Sequence, residues 1–452
     1  MKTFWKTYVA IALLAALGAY IYFVERKRPA DTNEKPSEKV FASLDRGKVQ
    51  ELTLTPADGD AIHLARQGAG WVMTAPMSVR ASTTDVDTLL GSLENLEMNE
   101  VVSEDGANAS SFGLDHPQLT VGVLEEGQKQ PLELQLGAKT PDDSNVYARI
   151  ASAPRIFTLS GYVEKTFEKK PLDLRDRDLL HVKRDDVATL TVTGPNERYA
   201  LKRAGKDHWV FSEPLVTWAG RWSVDGLLGS LESLRMDAVA EEPAKDLKKY
   251  GLAPPQRTVT LGLGKGKTET LEIGEAAPDD KFYARASDSD LVAIINKTIV
   301  DDLAKGMDNV RAKRLLDVSA YDVDGFDALF DGVQHTYQRS SSKDKDGIEV
   351  YKWKRTTPNA KDLETNPVQD VLFKIGGVDV AEFVDKPQPD PSYGLDKPVL
   401  KVTLRFVEGR QPTSFEVAHE GDSWYARRPG DHAVLRLDSS KAEDLLKGFK
   451  GL

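Results

Sequence analysis

The sequence contains no cysteine. This absence excludes disulfide bonds, thiolate metal sites and cysteine nucleophiles. The seven histidines lack HxH or HExxH spacing, so no zinc site is expected. There is also no GxSxG elbow and no ordered P-loop, and GLGKGK at residues 262–267 predicts a turn between two strands. We therefore expect no enzyme, no cofactor and no bound metal.

Positive charge is scarce relative to negative charge. The chain has 60 Lys and Arg against 71 Asp and Glu, a formal net charge of −11. Nucleic acids attract proteins with an excess of Lys and Arg, so no nucleic-acid partner is expected. The 40% hydrophobic content is typical of a globular protein, and 452 residues exceed what one ordinary core holds. Two to four domains are expected.

Charged residues are also missing between Thr7 and Val24, a stretch of eighteen residues. As a helix this stretch is about 27 Å long, close to the roughly 30 Å of a bilayer's hydrocarbon core. We therefore expect residues 1–28 to be a single-pass transmembrane anchor and residues 29–38 to be a linker. A cleaved signal peptide is the alternative, but its apolar region would be unusually long. Basic residues flank both ends of the stretch, so they do not decide its orientation.

The sequence repeats itself. Residues 89–101 (LLGSLENLEMNEV) and 227–239 (LLGSLESLRMDAV) are identical at nine of thirteen positions. Three further motifs return in the same order: WxxxxP at 71–76, 209–214 and 353–358; [FY]GLxxP at 112–117, 250–255 and 393–398; YAR at 147–149, 283–285 and 425–427. LRDRDLL at 174–180 is echoed by VRAKRLL at 310–316 and has no clear third copy.

These motifs predict three tandem units, at residues 39–180, 181–317 and 318–452, of which the third is divergent. A period near 140 residues is too long for a solenoid repeat and long enough for each unit to have its own core. We refer to the three units as the first, second and third repeats.

Each repeat has the pattern of an α+β domain. Residues 51–56, 61–66 and 71–76 alternate apolar and polar positions as strands do. Further on, a series of apolar residues has helical spacing: Val86, Leu89, Leu90, Leu93 and Leu96. Ser82 or Thr83 can cap that helix. We expect a mainly antiparallel sheet with one principal helix packed across it.

The YAR strands are the candidate interaction sites. The tyrosine and arginine are two positions apart, so they share one face of a strand, and an arginine fork can bind a carboxylate or phosphate. The pairs are Tyr147 and Arg149, Tyr283 and Arg285, and Tyr425 and Arg427. The alternative is structural, with the arginine paired to a neighbouring acid and its stem packed on the tyrosine.

The ordered set of motifs behind an apolar N-terminal segment resembles a bacterial family, domain of unknown function 4340. The resemblance covers nearly the whole chain. It implies a protein anchored in the inner (cytoplasmic) membrane, with its folded part on the periplasmic or extracytoplasmic side. It also implies companionship with ABC transporters of the gliding-motility type, and it implies no catalytic residues.

The leading functional hypothesis is a membrane-anchored extracytoplasmic interaction or accessory protein, serving an ABC transporter or another envelope machine. Its partners would be the membrane, through the N-terminal helix, and transporter subunits. One alternative is an envelope hydrolase that acts on a polymer or lipid with paired carboxylates. Another is a structural spacer.

Overall fold

The computed structural model describes residues 38–205, 208–287, 289–343, 345, 349–407 and 410–452. The predicted anchor at residues 1–28, and all of the linker except its last residue, lie outside this set. Within the described part of the chain, no helix combines the length and the apolar character needed to cross a bilayer.

The first repeat contains nine strands, three α-helices and one 3-10 helix among the described residues. Its strands are β1 Val49–Pro56, β2 Ile62–Gln67, β3 Gly70–Ala75, β4 Val79–Ala81, β5 Glu100–Ser103, β6 Leu119–Glu125, β7 Leu132–Lys139, β8 Asn145–Ile150 and β9 Ile156–Ser160. Its helices are α1 Thr83–Glu94, α2 Tyr162–Phe167 and α3 Pro171–Leu174, with a 3-10 helix at Ala109–Phe112.

The second repeat has the same order of strands and α-helices, with two additional 3-10 helices. Its strands are β10 Val187–Thr193, β11 Arg198–Arg203, β12 Trp209–Glu213, β13 Thr217–Trp218, β14 Ala238–Glu241, β15 Arg257–Leu263, β16 Thr268–Ala277, β17 Lys281–Ala286 and β18 Val292–Asn296. Its helices are α4 Arg221–Glu232, α5 Lys297–Ala304 and α6 Met307–Val310, with 3-10 helices at Arg184–Asp186, Leu247–Tyr250 and Gly264–Gly266.

The third repeat differs in two places: one hairpin is longer, and a single long helix follows the last strand where the other repeats have two short helices. Its strands are β19 Val323–Phe330, β20 Val333–Lys343, β21 Glu349–Thr357, β22 Lys361–Leu363, β23 Val380–Val384, β24 Leu400–Phe406, β25 Thr413–Glu420, β26 Ser423–Arg427 and β27 Val434–Leu437. Its helices are α7 Thr365–Gly377 and α8 Ser439–Gly451, with 3-10 helices at Ala320–Asp322 and Asp390–Tyr393.

Each repeat forms one antiparallel sheet with the same strand order. In the first repeat the order is β4-β3-β2-β1-β6-β7-β8-β9-β5, and the other two sheets follow it strand for strand. The prediction of three tandem, mainly antiparallel units is thereby confirmed. The described residues form two compact units: one ends at Arg177, and the other, Asp178–Leu452, contains the second and third sheets.

The principal helix closes the core of each repeat. In α1 the Ser82 side chain caps the N-terminus by accepting a hydrogen bond from the Asp85 amide, and an apolar stripe faces the sheet: Val86, Leu89, Leu90 and Leu93. The helix ends at Glu94 because Asn95 leaves helical geometry. Leu96, which the spacing placed on the helix, is buried beyond its end.

The WxxxxP motif marks the sheet side of the core. Trp71, Trp209 and Trp353 are all deeply buried, and each proline follows a cis peptide bond. An arginine from the neighbouring strand covers the ring in the first two repeats. The guanidinium carbons of Arg66 and Arg203 lie 4.6 and 4.7 Å from the tryptophan ring centroids, a distance at which a cation attracts the ring face.

Candidate functional site

The [FY]GLxxP motif forms a 3-10 helix that ends at a left-handed glycine. The glycines are Gly113, Gly251 and Gly394, with φ of 69°, 64° and 68°. A side chain at Gly251 would place its Cβ 2.8 Å from the Glu275 amide nitrogen. Glycine is therefore required for two reasons: the backbone has a positive φ, and a neighbouring backbone approaches too closely for a side chain.

The tyrosine of each YAR strand packs on the aromatic residue of this turn. The ring centroids are 4.5 Å apart for Phe112 and Tyr147, and 4.9 Å apart for Tyr250 and Tyr283. In the third repeat Tyr393 and Tyr425 are 5.0 Å apart. The two motifs, which are separate in sequence, thus form one contact in every repeat.

The arginine of each YAR strand is held by groups of its own repeat. Arg149 donates to the Gln135 Oε1 at 2.7 Å and to the Leu114 carbonyl at 3.0 Å. Arg285 donates to the Glu272 Oε2 at 2.6 Å and to the Ser289 carbonyl at 3.3 Å.

In the third repeat, Arg427 donates from both terminal nitrogens to the Asp390 carboxylate. The hydrogen bond to Arg427 lowers the pKa of Asp390, and the same bond raises the pKa of Arg427. Because Asp390 begins the 3-10 helix, this ion pair ties the turn to the sheet.

The six candidate residues therefore lie in three separate sheets, at one equivalent place in each. The arginine pairs with an acid in the second and third repeats, whereas in the first repeat it bonds an amide and a carbonyl oxygen. In all three repeats the tyrosine packs on the aromatic residue of the turn. Chemically, each arrangement joins a turn to a strand. Among the described residues there is also no group of three or more His, Asp or Glu side chains placed to hold a metal ion.

A cluster of exposed aromatic side chains lies elsewhere, on the third repeat. Tyr321 is 64% exposed and Phe373 is 50% exposed, and their ring centroids are 5.7 Å apart. Arg339 donates to the Tyr321 carbonyl at 2.8 Å, and its guanidinium carbon lies 4.7 Å from the ring centroid of Tyr351. Tyr351 is 40% exposed. We call Tyr321, Arg339, Tyr351 and Phe373 the aromatic patch.

The sequence interpretation missed this patch, although the repeats carry a signal for it. Phe373 occupies the helix position that is Gly91 in the first repeat and Gly229 in the second. Tyr351 lies where the third hairpin is longer, because β20 and β21 have 11 and 9 residues against six each in β2 and β3. The third repeat thus has aromatic residues where the other two repeats have small residues or a shorter hairpin. These aromatic residues mark a surface that is specific to the third repeat.

The family model described as "Domain of unknown function (DUF4340)" matches residues 71–219, 209–398 and 353–452. The chain belongs to this family. Each match begins at the tryptophan of a WxxxxP motif, so the family's unit starts inside the sheet, at the third strand of a repeat. No curated protein matches the chain.

Solved structures give only a weak likeness. A DNA polymerase sliding clamp from Pseudomonas aeruginosa is 8% identical, over 88% of this chain and 94% of that chain, with a TM-score of 0.16. A putative DNA polymerase III beta subunit from Eubacterium rectale is 6% identical, over 88% of this chain and 92% of that chain, with a TM-score of 0.18. TM-scores this low support no conclusion about the fold or the function of the chain.

Proposed function

We propose that this family member is a membrane-anchored interaction protein whose folded part lies outside the cytoplasm and binds a protein of an envelope machine. The first candidate partner is an ABC transporter. The apolar segment from Thr7 to Val24 supplies the anchor in this proposal, and the family resemblance supplies the kind of partner.

The observation that carries the binding role is the aromatic patch. Single exposed apolar residues are ordinary on protein surfaces, but here the rings of Tyr321 and Phe373 contact each other and Arg339 links them to Tyr351. Tyrosine, phenylalanine and arginine are enriched at protein interfaces, where a few such residues supply most of the binding energy. Burying these partly exposed rings would stabilise a complex through the hydrophobic effect.

The hydrolase alternative receives less support. A glycosidase needs two carboxyl groups facing a cleft, roughly 5–10 Å apart. The acidic pair Asp142 and Asp143 lies instead on an exposed turn. There the Ser144 and Thr140 hydroxyls donate to Asp142 and lower its pKa to about 2, which suits a turn residue and not a general acid.

The partner can be identified by crosslinking in intact cells. A photoreactive amino acid at position 351 is activated, the chain is purified through a C-terminal tag, and attached proteins are identified by mass spectrometry. We expect transporter subunits among them. The double variant Tyr321→Ala with Phe373→Ala should recover about tenfold less partner.

The matched control is Tyr162→Ala, which removes a tyrosine of similar exposure from the first repeat. It should recover as much partner as the natural chain. Equal recovery by the double variant, or equal loss by the control, would refute the patch as the binding surface. A reporter enzyme that is active only outside the cytoplasm, fused after Leu452, tests the orientation separately.

A further inference from the structure

The three sheets differ in how one of their edges is covered. Strands β4, β13 and β22 form the equivalent edge of the first, second and third sheets. The outer side of an edge strand presents N–H and C=O groups with which a further strand can pair. In the first two repeats the chain covers this edge itself, because the stretch after the last short helix runs back alongside it.

In the first repeat the covering stretch makes two main-chain hydrogen bonds to the edge. The Ser82 amide donates to the Leu174 carbonyl at 2.8 Å. The Asp176 amide donates to the Arg80 carbonyl at 2.9 Å. This pair of bonds is that of a short antiparallel pairing.

The second repeat uses the same two bonds. The Gly220 amide donates to the Val310 carbonyl at 2.7 Å, and the Ala312 amide donates to the Trp218 carbonyl at 3.0 Å. The two covering stretches therefore bind their edges in the same register and through the main chain.

An arginine lies at the centre of each covering stretch. Arg175 faces Ala81, and Arg311 faces Ala219. The Arg311 Nη2 lies 3.4 Å from the Thr217 Oγ1. A side chain opposite the central edge residue thus reaches the side chain two positions earlier on the edge.

In the third repeat the equivalent edge is open. The tryptophan of each WxxxxP motif lies across the sheet from Ala81, Ala219 or Leu363, so Leu363 is the equivalent of the two alanines. A covering stretch would bond to the Asp362 carbonyl and the Glu364 amide, and no described residue does so. The alanines are buried, whereas Leu363 is half-buried and its two neighbours are exposed.

The open edge also differs from the other two in charge. The register places Lys361 where the first two repeats have Val79 and Thr217. Lys361 is exposed and forms no ion pair with a described residue. Arg355, which faces it on the neighbouring strand, already donates to a main-chain oxygen of Leu452. Lys361 is therefore the cation without a partner at this edge.

The carboxylates of the edge point away from Lys361. Side chains alternate along an extended chain, so Asp362 and Glu364 lie on the opposite face, where Lys354 is directly across from Asp362. By the register of the second repeat, a side chain opposite Leu363 reaches Lys361. An acidic side chain there is attracted to Lys361, and an arginine is repelled.

We propose that the open edge of β22 binds an extended segment of a partner protein, with an acidic residue opposite Leu363. The segment adds a strand to the third sheet. One of its carbonyls accepts from the Glu364 amide, one of its amides donates to the Asp362 carbonyl, and its carboxylate pairs with Lys361. The main chain supplies the register, and the ion pair supplies the preference for an acid.

The proposal rests on the proposed function, because the segment belongs to the partner that contacts the aromatic patch. The edge and the patch are neighbours, since the Thr365 hydroxyl donates to the Tyr351 carbonyl at 3.0 Å. The edge therefore specifies which kind of segment the partner presents beside the patch.

The charge preference is tested with peptides copied from the covering stretch of the second repeat. A labelled peptide of residues 308–314 is made with the natural sequence and as Arg311→Glu, and its binding to the full chain is measured by fluorescence anisotropy. The Arg311→Glu peptide should bind, and the natural peptide should bind about tenfold more weakly. Lys361→Glu in the full chain should reverse this order.

The main-chain bonds are tested by removing single N–H groups. N-methylation of the Arg311→Glu peptide at position 312 removes the donor to Asp362 and should weaken binding about tenfold. N-methylation at position 311 is the control, because in the chain this N–H donates to the Met307 carbonyl and not to the edge.

A matched pair of variants tests the donor on the protein. Glu364→Pro removes the outward N–H at a residue whose φ of −65° suits proline, and it should weaken peptide binding about tenfold. Glu364→Ala keeps the N–H and should not weaken binding. If Glu364→Pro does not fold, the two N-methylated peptides decide the question, since both are tested on the natural chain.

The proposal fails if the Arg311→Glu peptide does not bind in the millimolar range, or if the two N-methylated peptides bind equally. It also fails if Lys361→Glu leaves the order of the peptides unchanged. Crosslinking at position 351 reports on the proposed function separately. Recovery of the partner without peptide binding would refute the edge site alone, and peptide binding without recovery of a partner would refute the proposed function alone.

Discussion

At the scale of single residues, Arg428 joins the second and third repeats. It donates to Asp431 at 3.0 and 2.6 Å, and both side chains are completely buried. It also donates to the carbonyls of Ala312 and Arg314, and its guanidinium carbon lies 5.0 Å from the ring centroid of Trp218. Arg428 therefore donates hydrogen bonds to residues of both repeats.

Replacing Arg428 should be costly. Arg428→Met leaves the Asp431 carboxylate buried without its partner, and removal of one member of a buried pair costs about 3–5 kcal/mol. Urea unfolding measures this loss. Arg436→Met is the control, since its ion pair with Glu382 is largely exposed and such pairs contribute about 0–1 kcal/mol. Losses of equal size in the two variants would contradict the role given to burial.

His208 should make the second compact unit sensitive to acid. Its ring lies 4.5 Å from that of Trp218, and burial, followed by the charges of Arg428 and Arg410, lowers its pKa below the ordinary 6.5. The unfolded chain therefore takes up the proton first as pH falls through 6.5, so the free energy of unfolding decreases below that pH.

The decrease can be isolated by substitution. His208→Gln cannot titrate, so urea unfolding at pH 7.5 and 5.5 should differ less for this variant than for the natural chain. His432→Gln, which changes an exposed histidine in the third repeat, should keep the full difference. If His208→Gln keeps it as well, the acid sensitivity arises elsewhere.

At the scale of elements, two glycines of the second repeat should respond to alanine in opposite directions. Gly251 ends a 3-10 helix at positive φ with no room for a Cβ, so Gly251→Ala should cost about 1–3 kcal/mol. Gly226 lies within α4 and has open space around it. Gly226→Ala should stabilise by about 0.5–1 kcal/mol, and urea unfolding of both variants shows whether the signs differ.

The sequence predicted those helices and strands whose residue pattern lies within one short stretch of the chain. The stripe from Val86 to Leu93 predicted α1, and its repetition predicted α4. The pairing of β5 with β9 at the sheet edge was not predicted, because Glu100 and Thr158 are far apart in the chain and no local pattern encodes their register.

The site was less predictable than the fold for a similar reason. The YAR strand and the glycine turn were each visible as motifs, but the contact between Tyr283 and Tyr250 depends on tertiary packing. Composition also cannot distinguish exposed Phe373 from a core phenylalanine. Only comparison with Gly91 and Gly229, at the same place in the other repeats, would have singled it out.

At the scale of the whole molecule, the third repeat has an exposed aromatic surface that the other two repeats lack. The aromatic patch arises where its residues depart from the shared pattern, at Tyr351 and Phe373. The first two repeats have glycine at the position of Phe373 and a shorter hairpin near that of Tyr351. We infer that the repeated fold is the scaffold and that the third copy is the specialised one.

The second and third repeats should unfold together, since residues of one are bonded to the other. Arg311 is buried, donates to the Asp385 carboxylate at 2.7 and 3.1 Å, and stacks on Phe383 with its guanidinium carbon 3.8 Å from the ring centroid. The Trp218 Nε1 donates to the Pro429 carbonyl at 3.0 Å. Separating the repeats would leave buried polar groups unpaired, which is costly.

Native-state hydrogen exchange tests this coupling. Amides of the central strands β15 and β24, one from each repeat, should open with the same free energy and the same dependence on denaturant. Arg311→Met should make the two values differ, because it removes bonds between the repeats. Arg285→Met removes an arginine that donates to Glu272 and to the Ser289 carbonyl, both in the second repeat, so it should lower both values equally. Different opening energies in the natural chain would instead mean that each sheet folds alone.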